Sequence, residues 1–146
     1  MDVQAAAIQA LYNSLEFIRD NFEREGERNY IMQVVCEATQ SPSIPVQVGA
    51  FECLVKIMQL YYDKMKLYME RALFGVSPKP ARKKHPRVGW LILLPPCLLL
   101  QLTVIGMKNE EEKVALQAVE FWSTVCDEEA ELMYEAQEVS GSGQAG

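Results

Sequence analysis

The stretch Ala7-Ile8-Gln9-Ala10-Leu11 returns in its apolar pattern as Ala50-Phe51-Glu52-Cys53-Leu54 and again as Ala115-Leu116-Gln117-Ala118-Val119, each time inside a run of helix formers. Self-similarity of this kind constrains the fold strongly. A short helical unit that recurs cannot bury its apolar face alone and must stack on its neighbours. The step from Ala7 to Ala50 is 43 residues, inside the roughly 40–47-residue period of helical-hairpin repeats. The step from Ala50 to Ala115 is 65 residues, longer than one period and shorter than two, so about half a repeat of extra chain lies between those copies. Stacked hairpins work through the exposed faces of their helices rather than through a buried cleft.

The apolar spacing predicts the hairpin arms one by one. Asp2 is placed to cap a helix running to about Phe22, with Ala7, Leu11, Leu15 and Ile18 on one face. A second helix opens at Glu25 or Glu27 and presents Tyr30, Ile31, Val34, Val35 and Ala38 before the Ser41-Pro42-Ser43 turn signal. A third begins around Pro45, a residue tolerated in a first turn, and carries Val48, Phe51, Leu54, Val55, Met58 and Tyr62. A fourth starts near Lys66 and stops at Gly75, with Pro78 and Pro80 close behind. Helix resumes at Pro96 and runs to Met107; Asn109 with Glu112 reads as a capping box for an arm from Glu110 to about Cys126. A short last helix covers Glu128 to Glu138, and the Ser/Gly-rich end after it is linker-like and frayed. The fold class is therefore all-α, a HEAT-repeat α-solenoid of antiparallel helix pairs holding about two to three repeats. Residues 1–74 and 103–138 form the repeats, 75–102 an atypical insert, and 139–146 a flexible tail.

Charge and cysteine usage narrow the partners. The net charge is −6 over 146 residues, which argues against nucleic acid and for basic peptides or ordinary protein contacts. The insert alone carries Lys79, Arg82, Lys83, Lys84 and Arg87 with no acid. Cys36, Cys53, Cys97 and Cys126 have no C-x-x-C spacing and read as reduced thiols. The lone His85 sits in the basic stretch with no carboxylate or cysteine near it in sequence, so neither a metal site nor histidine catalysis is expected. No phosphate loop or nucleophile elbow is found either, so the expectation is no cofactor and no enzyme. Met1 leads directly into a capped helical pattern, which does not read as a signal peptide.

Three long words carry a resemblance: Tyr30 to Gln40, Phe51 to Met58, and Val114 to Glu129. On these the chain resembles the importin-β family of nuclear transport receptors, matching from Val3 to Phe74 and from Thr103 to about Glu138. The resemblance implies a piece of a much longer HEAT superhelix that shuttles between cytoplasm and nucleus through the pore. It implies phenylalanine-glycine nucleoporins on the convex face, importin-α or basic cargo signals on the concave face, and the Ran GTPase as partners, with no nucleic acid and no membrane insertion. The family's nucleoporin pocket lies between the first helices of adjacent repeats. Its motif of acid, two residues, aromatic and isoleucine appears here as Glu27-Arg28-Asn29-Tyr30-Ile31. The resemblance gives Glu27 the role of accepting peptide backbone hydrogen bonds and gives Tyr30 and Ile31 the apolar walls, the opposite wall being expected upstream of Met1. A second pocket involves Leu73 and Phe74, on a helix that the insert interrupts.

Each of these readings stands beside a plainer one. Trp122, Asp127 and Glu128 are candidates for contacting a basic cargo peptide, against a core role for the tryptophan and a solvated helix end for the acids. The basic run from Lys79 to Arg87 reads as a proline-broken solvated loop rather than a localisation signal. The apolar run from Trp90 to Leu102 is split by Pro95-Pro96 and is too short to span a membrane. The insert has no counterpart in the family and reads as intron-derived or as a coding-sequence artefact. The alternative for the whole chain is a helical scaffold, or a partial product, without transport activity.

Overall fold

The computed structural model describes residues 2–74 and 98–142, and for 67–74, Leu98 and Ser142 the backbone alone. Among the described residues all regular structure is helical: α1 (Val3–Ser14), a 3-10 turn (Leu15–Phe17), α2 (Arg19–Glu23), α3 (Glu25–Ala38), α4 (Ile44–Phe74), α5 (Leu98–Met107) and α6 (Glu112–Ser142). No helix among these residues is long and apolar enough to cross a membrane.

Asp2 caps α1 as its side chain dictates, its Oδ1 accepting from the Gln4 amide at 3.0 Å. The helix does not reach Phe22. It ends at Ser14, whose hydroxyl donates to the Leu11 carbonyl at 2.8 Å, and the chain turns through Ile18 at φ −108°, ψ 31°. The cause lies across the fold: Tyr61 donates its hydroxyl to the Leu15 carbonyl, and Phe22 stacks on the Tyr61 ring with centroids 4.3 Å apart. A tertiary partner takes a carbonyl that a longer helix would have used. Of the predicted face, Leu15 is buried and Leu11 and Ile18 pack against the core, while Ala7 is exposed and Ile8 is buried in its stead.

Tyr61 also marks the break between the third and fourth predicted helices. The span α4 from Ile44 to Phe74 is two helices joined across a kink at Tyr61, where φ is −132° and ψ 35°. The hydroxyl bond and the ring stack hold that residue out of helical geometry, so the bend is a packing device rather than a proline effect. At the other end of the chain no break occurs at Glu128. α6 continues to Ser142 as a single helix that includes the Ser140-Gly141 stretch expected to fray. Asn109 opens it as anticipated in kind, its Oδ1 accepting from the Glu111 amide at 2.8 Å.

Contacts between α1 and α4 climb together: Ile8 with Gly49 and Cys53, Tyr12 with Lys56, Leu15 with Tyr61. The two helices are therefore parallel neighbours. α6 continues the row on the far side of α4, with Asn109 just ahead of it bonded to Gln47 and Glu129 accepting from Tyr62. α3 folds back on α4 through the short turn after Thr39, and α5 runs antiparallel to α6, since Gly106 meets Ala118 while Thr103 meets Trp122. The result is two layers of side-by-side helices, α1-α4-α6 and α3-α5, stacked as antiparallel pairs. One continuous core, from Ile8 through Phe51, Leu54 and Met58 to Phe121 and Val125, lies between them. Burying each such side chain is worth about 1.5–3 kcal/mol.

Candidate functional site

α3 lies outside the α1-α4-α6 row, and its helical spacing sorts the motif residues by direction. Met32, Val35 and Cys36 point into the core, and Ile31 packs half-buried against it. Tyr30 points away and is 66% exposed; Val34, one turn on and on the same face, is 36% exposed. Both had been placed among recurring apolar positions of a core-facing helix, and the structure puts them at the surface.

Glu27 is fixed before any ligand arrives. Its Oε1 accepts from Arg24 Nη1 at 2.9 Å and its Oε2 from Asn21 Nδ2 at 2.6 Å. The Arg24 bond, then the Asn21 bond, hold its carboxyl below the ordinary value of 4.5, against an opposing effect of desolvation. It is thus ionised at neutral pH and tied to α2, with lone pairs left over for a further donor. Arg28, between Glu27 and Tyr30, is buried and donates to the Phe22 carbonyl at 2.8 Å. The short α2 is what aims the N-terminal end of α3.

Beyond Val34 the exposed face opens onto a trough of about 480 Å³ between α3 and α1, lined by Ala7, Ile8, Leu11, Val34, Ala38 and Pro42 among others. Val34 and its opposite wall on α1 are the participants that spacing alone did not single out. The usable signal was the i, i+4, i+8 series Tyr30, Val34, Ala38 on the face away from Met32 and Val35.

The remaining candidates do not gather at this edge. Leu73 and Phe74 lie on the last backbone turn of α4, and their side chains are outside the described residues. Trp122 is on α6, half-buried and packed against the core. Its indole N–H donates to Thr103 Oγ1 at 2.9 Å, and its ring meets Phe121 edge-on at 5.5 Å. That is the core reading of this residue, although one side stays open. Asp127 is exposed, and Glu128 is half-buried with its pKa raised first by burial and then by Glu131 and Asp127. Cys36 and Cys53 are buried thiols pushed up to about 12, chiefly by desolvation, which leaves them inert.

No family model matches the chain. Curated proteins do; among them, importin subunit beta-1 of Schizosaccharomyces pombe is 55% identical over 136 residues, covering 93% of this chain and 13% of that protein. Importin subunit beta-1 of Saccharomyces cerevisiae is 49% identical over 133 residues, covering 91% and 12%. Among solved structures, Kap95p with RanGDP superposes with a TM-score of 0.66 at 47% identity, and a Kap95:Nup1 complex with 0.65 at 48%. Each covers 92% of this chain and 13% of the other. The chain thus spans about an eighth of the length of the relatives it matches.

Proposed function

From the premise that this chain belongs to the importin-β family, we propose that it is a segment of a nuclear import receptor whose α3 edge binds phenylalanine-glycine stretches of nucleoporins. The single observation that supports this reading is the side-chain arrangement on α3: an exposed Tyr30 and Val34 beside half-buried Ile31, with the ionised Glu27 held one turn away. An apolar ring laid on Tyr30 and Ile31 loses water on one face, while Glu27 accepts from the peptide backbone. Burial of a phenylalanine ring yields about 1.5–3 kcal/mol, most of which is offset by the costs of association. Contacts of that strength exchange quickly, and passage through a pore lined with such peptides requires it.

The Kap95 structures with RanGDP and with Nup1 lend support to Ran and nucleoporins as partners. Basic cargo or importin-α is assigned to the α4-α6 row, where Asp127 and Glu128 supply charge and the open side of Trp122 a stacking surface. Leu73 and Phe74, at the end of α4, are assigned to a second apolar site.

The test is binding of a phenylalanine-glycine repeat peptide, followed by fluorescence anisotropy, to the chain and to its Tyr30→Ala and Ile31→Ser variants. Tyr30→Ala is expected to weaken binding about tenfold, corresponding to roughly 1.4 kcal/mol, with the circular dichroism spectrum unchanged. Unaltered binding in both variants removes the assignment.

A further inference from the structure

We propose that residues 76–101 are a spliceable insertion, and that the chain without them keeps the same core, with Leu73 in the place Leu99 fills here. The functional consequence rests on the nucleoporin reading above; the structural claim does not. α5 is locked in place from Thr103 onward. Thr103 is fully buried and accepts the Trp122 indole N–H. A Cβ on Gly106 would come within 2.7 Å of Phe51 Cζ and 3.0 Å of Ala118 Cβ. The turn ahead of Thr103 must then supply apolar side chains one and four positions upstream, and here Leu102 and Leu99 do so, 5% and 6% exposed.

Removing Val76 through Gln101 joins Gly75 to Leu102. Leu102 stays where it is, Leu73 moves to the fourth position before Thr103, leucine for leucine, and Phe74 takes the half-buried place of Leu100. A cut two residues wider, over 75–102, would bring Arg71 to the buried fourth position, and an unpaired charge there is strongly unfavourable. The packing therefore selects the narrower boundary. The same cut shortens the step between the second and third copies of the repeat from 65 to 39 residues, close to the 43 of the first step. The boundary residues agree independently: every valine codon begins with GT, and one of the two glutamine codons ends in AG. The 26 codons from Val76 to Gln101 are thus compatible with in-frame intron borders. Without them, the part of α4 after the Tyr61 bend and α5 become one unbroken helix carrying Leu73 and Phe74 beside α3. Retention of the segment would thereby control whether Phe74, the one of the pair that takes a half-buried place, can contribute to the second apolar site.

Thermal melting of this chain and of the form lacking residues 76–101 tests the exchange of leucines without any ligand. In this chain Leu99→Ala is expected to lower the Tm by about 5–15 °C. In the shortened form Leu73→Ala has that effect, and in the full chain less than half of it. Should alanine abolish folding, Leu→Met at the same two positions gives the same ranking at smaller amplitude. A shortened form that melts without cooperativity while this chain melts cooperatively, or one indifferent to Leu73→Ala, overturns the proposal. Sequencing of the parent transcripts is expected to find a population lacking these 26 codons, and transcripts that all retain them overturn it as well.

Discussion

Gly26 and Gly106 both sit inside helices, and their surroundings make them respond to alanine in opposite directions. Nothing lies within 4 Å of a Cβ built on Gly26, whereas one on Gly106 would collide with the Phe51 ring and the Ala118 methyl. Gly26→Ala is expected to stabilise by up to about 1 kcal/mol through helix propensity. Gly106→Ala is expected to destabilise by about 1–2 kcal/mol net, overpacking outweighing the same propensity gain. Urea titrations of the two variants check both signs together. At this scale the sequence was partly legible. The motif from Glu27 to Ile31 announced a surface, but spacing cannot tell a Tyr30 that faces out from one that faces in. Trp122 packs half-buried against the core, and its partner Thr103, nineteen residues away, left no local trace.

Among the elements, α2 is the least self-sufficient and depends most on charge. Its five residues are held by Glu23 with Lys64 at 2.8 Å and by Asn21 with Glu27. Arg19 lies over the Tyr61 ring at 5.3 Å. The Lys64 bond first lowers the Glu23 pKa, and the Arg24 bond first lowers that of Glu27, both from 4.5. A carboxyl with a lowered folded pKa contributes stability above its unfolded value, and that contribution is lost as pH falls through the folded one. Protection factors at α2 and the first turn of α3, taken against the intrinsic exchange rate at each pH, are therefore expected to fall as pH drops below 4.5, ahead of those of the α4 core, and Glu27→Gln should blunt that response. Identical protection at pH 7 and at the acid end would contradict it. Helix type and order were readable from apolar period, caps and turn signals. The break at Ser14 was not, because it arises from one tyrosine bonding 46 residues back along the chain.

On the scale of the whole molecule, two layers of helices share one core and leave their outer faces free, so that binding is assigned to surfaces and not to a cavity between domains. The repeat steps announced that architecture, and homology to importin subunit beta-1 agrees with it. The burial of Leu99 and Leu102 was harder to see, since it depends on helices that follow them. The most direct measurement is a two-dimensional amide NMR titration of the labelled chain with a phenylalanine-glycine repeat peptide. Fast-exchange shifts are predicted to cluster at Glu27, Tyr30, Ile31 and Val34 on α3. Shifts confined to the Trp122–Glu128 part of α6, or none at all, would contradict the account.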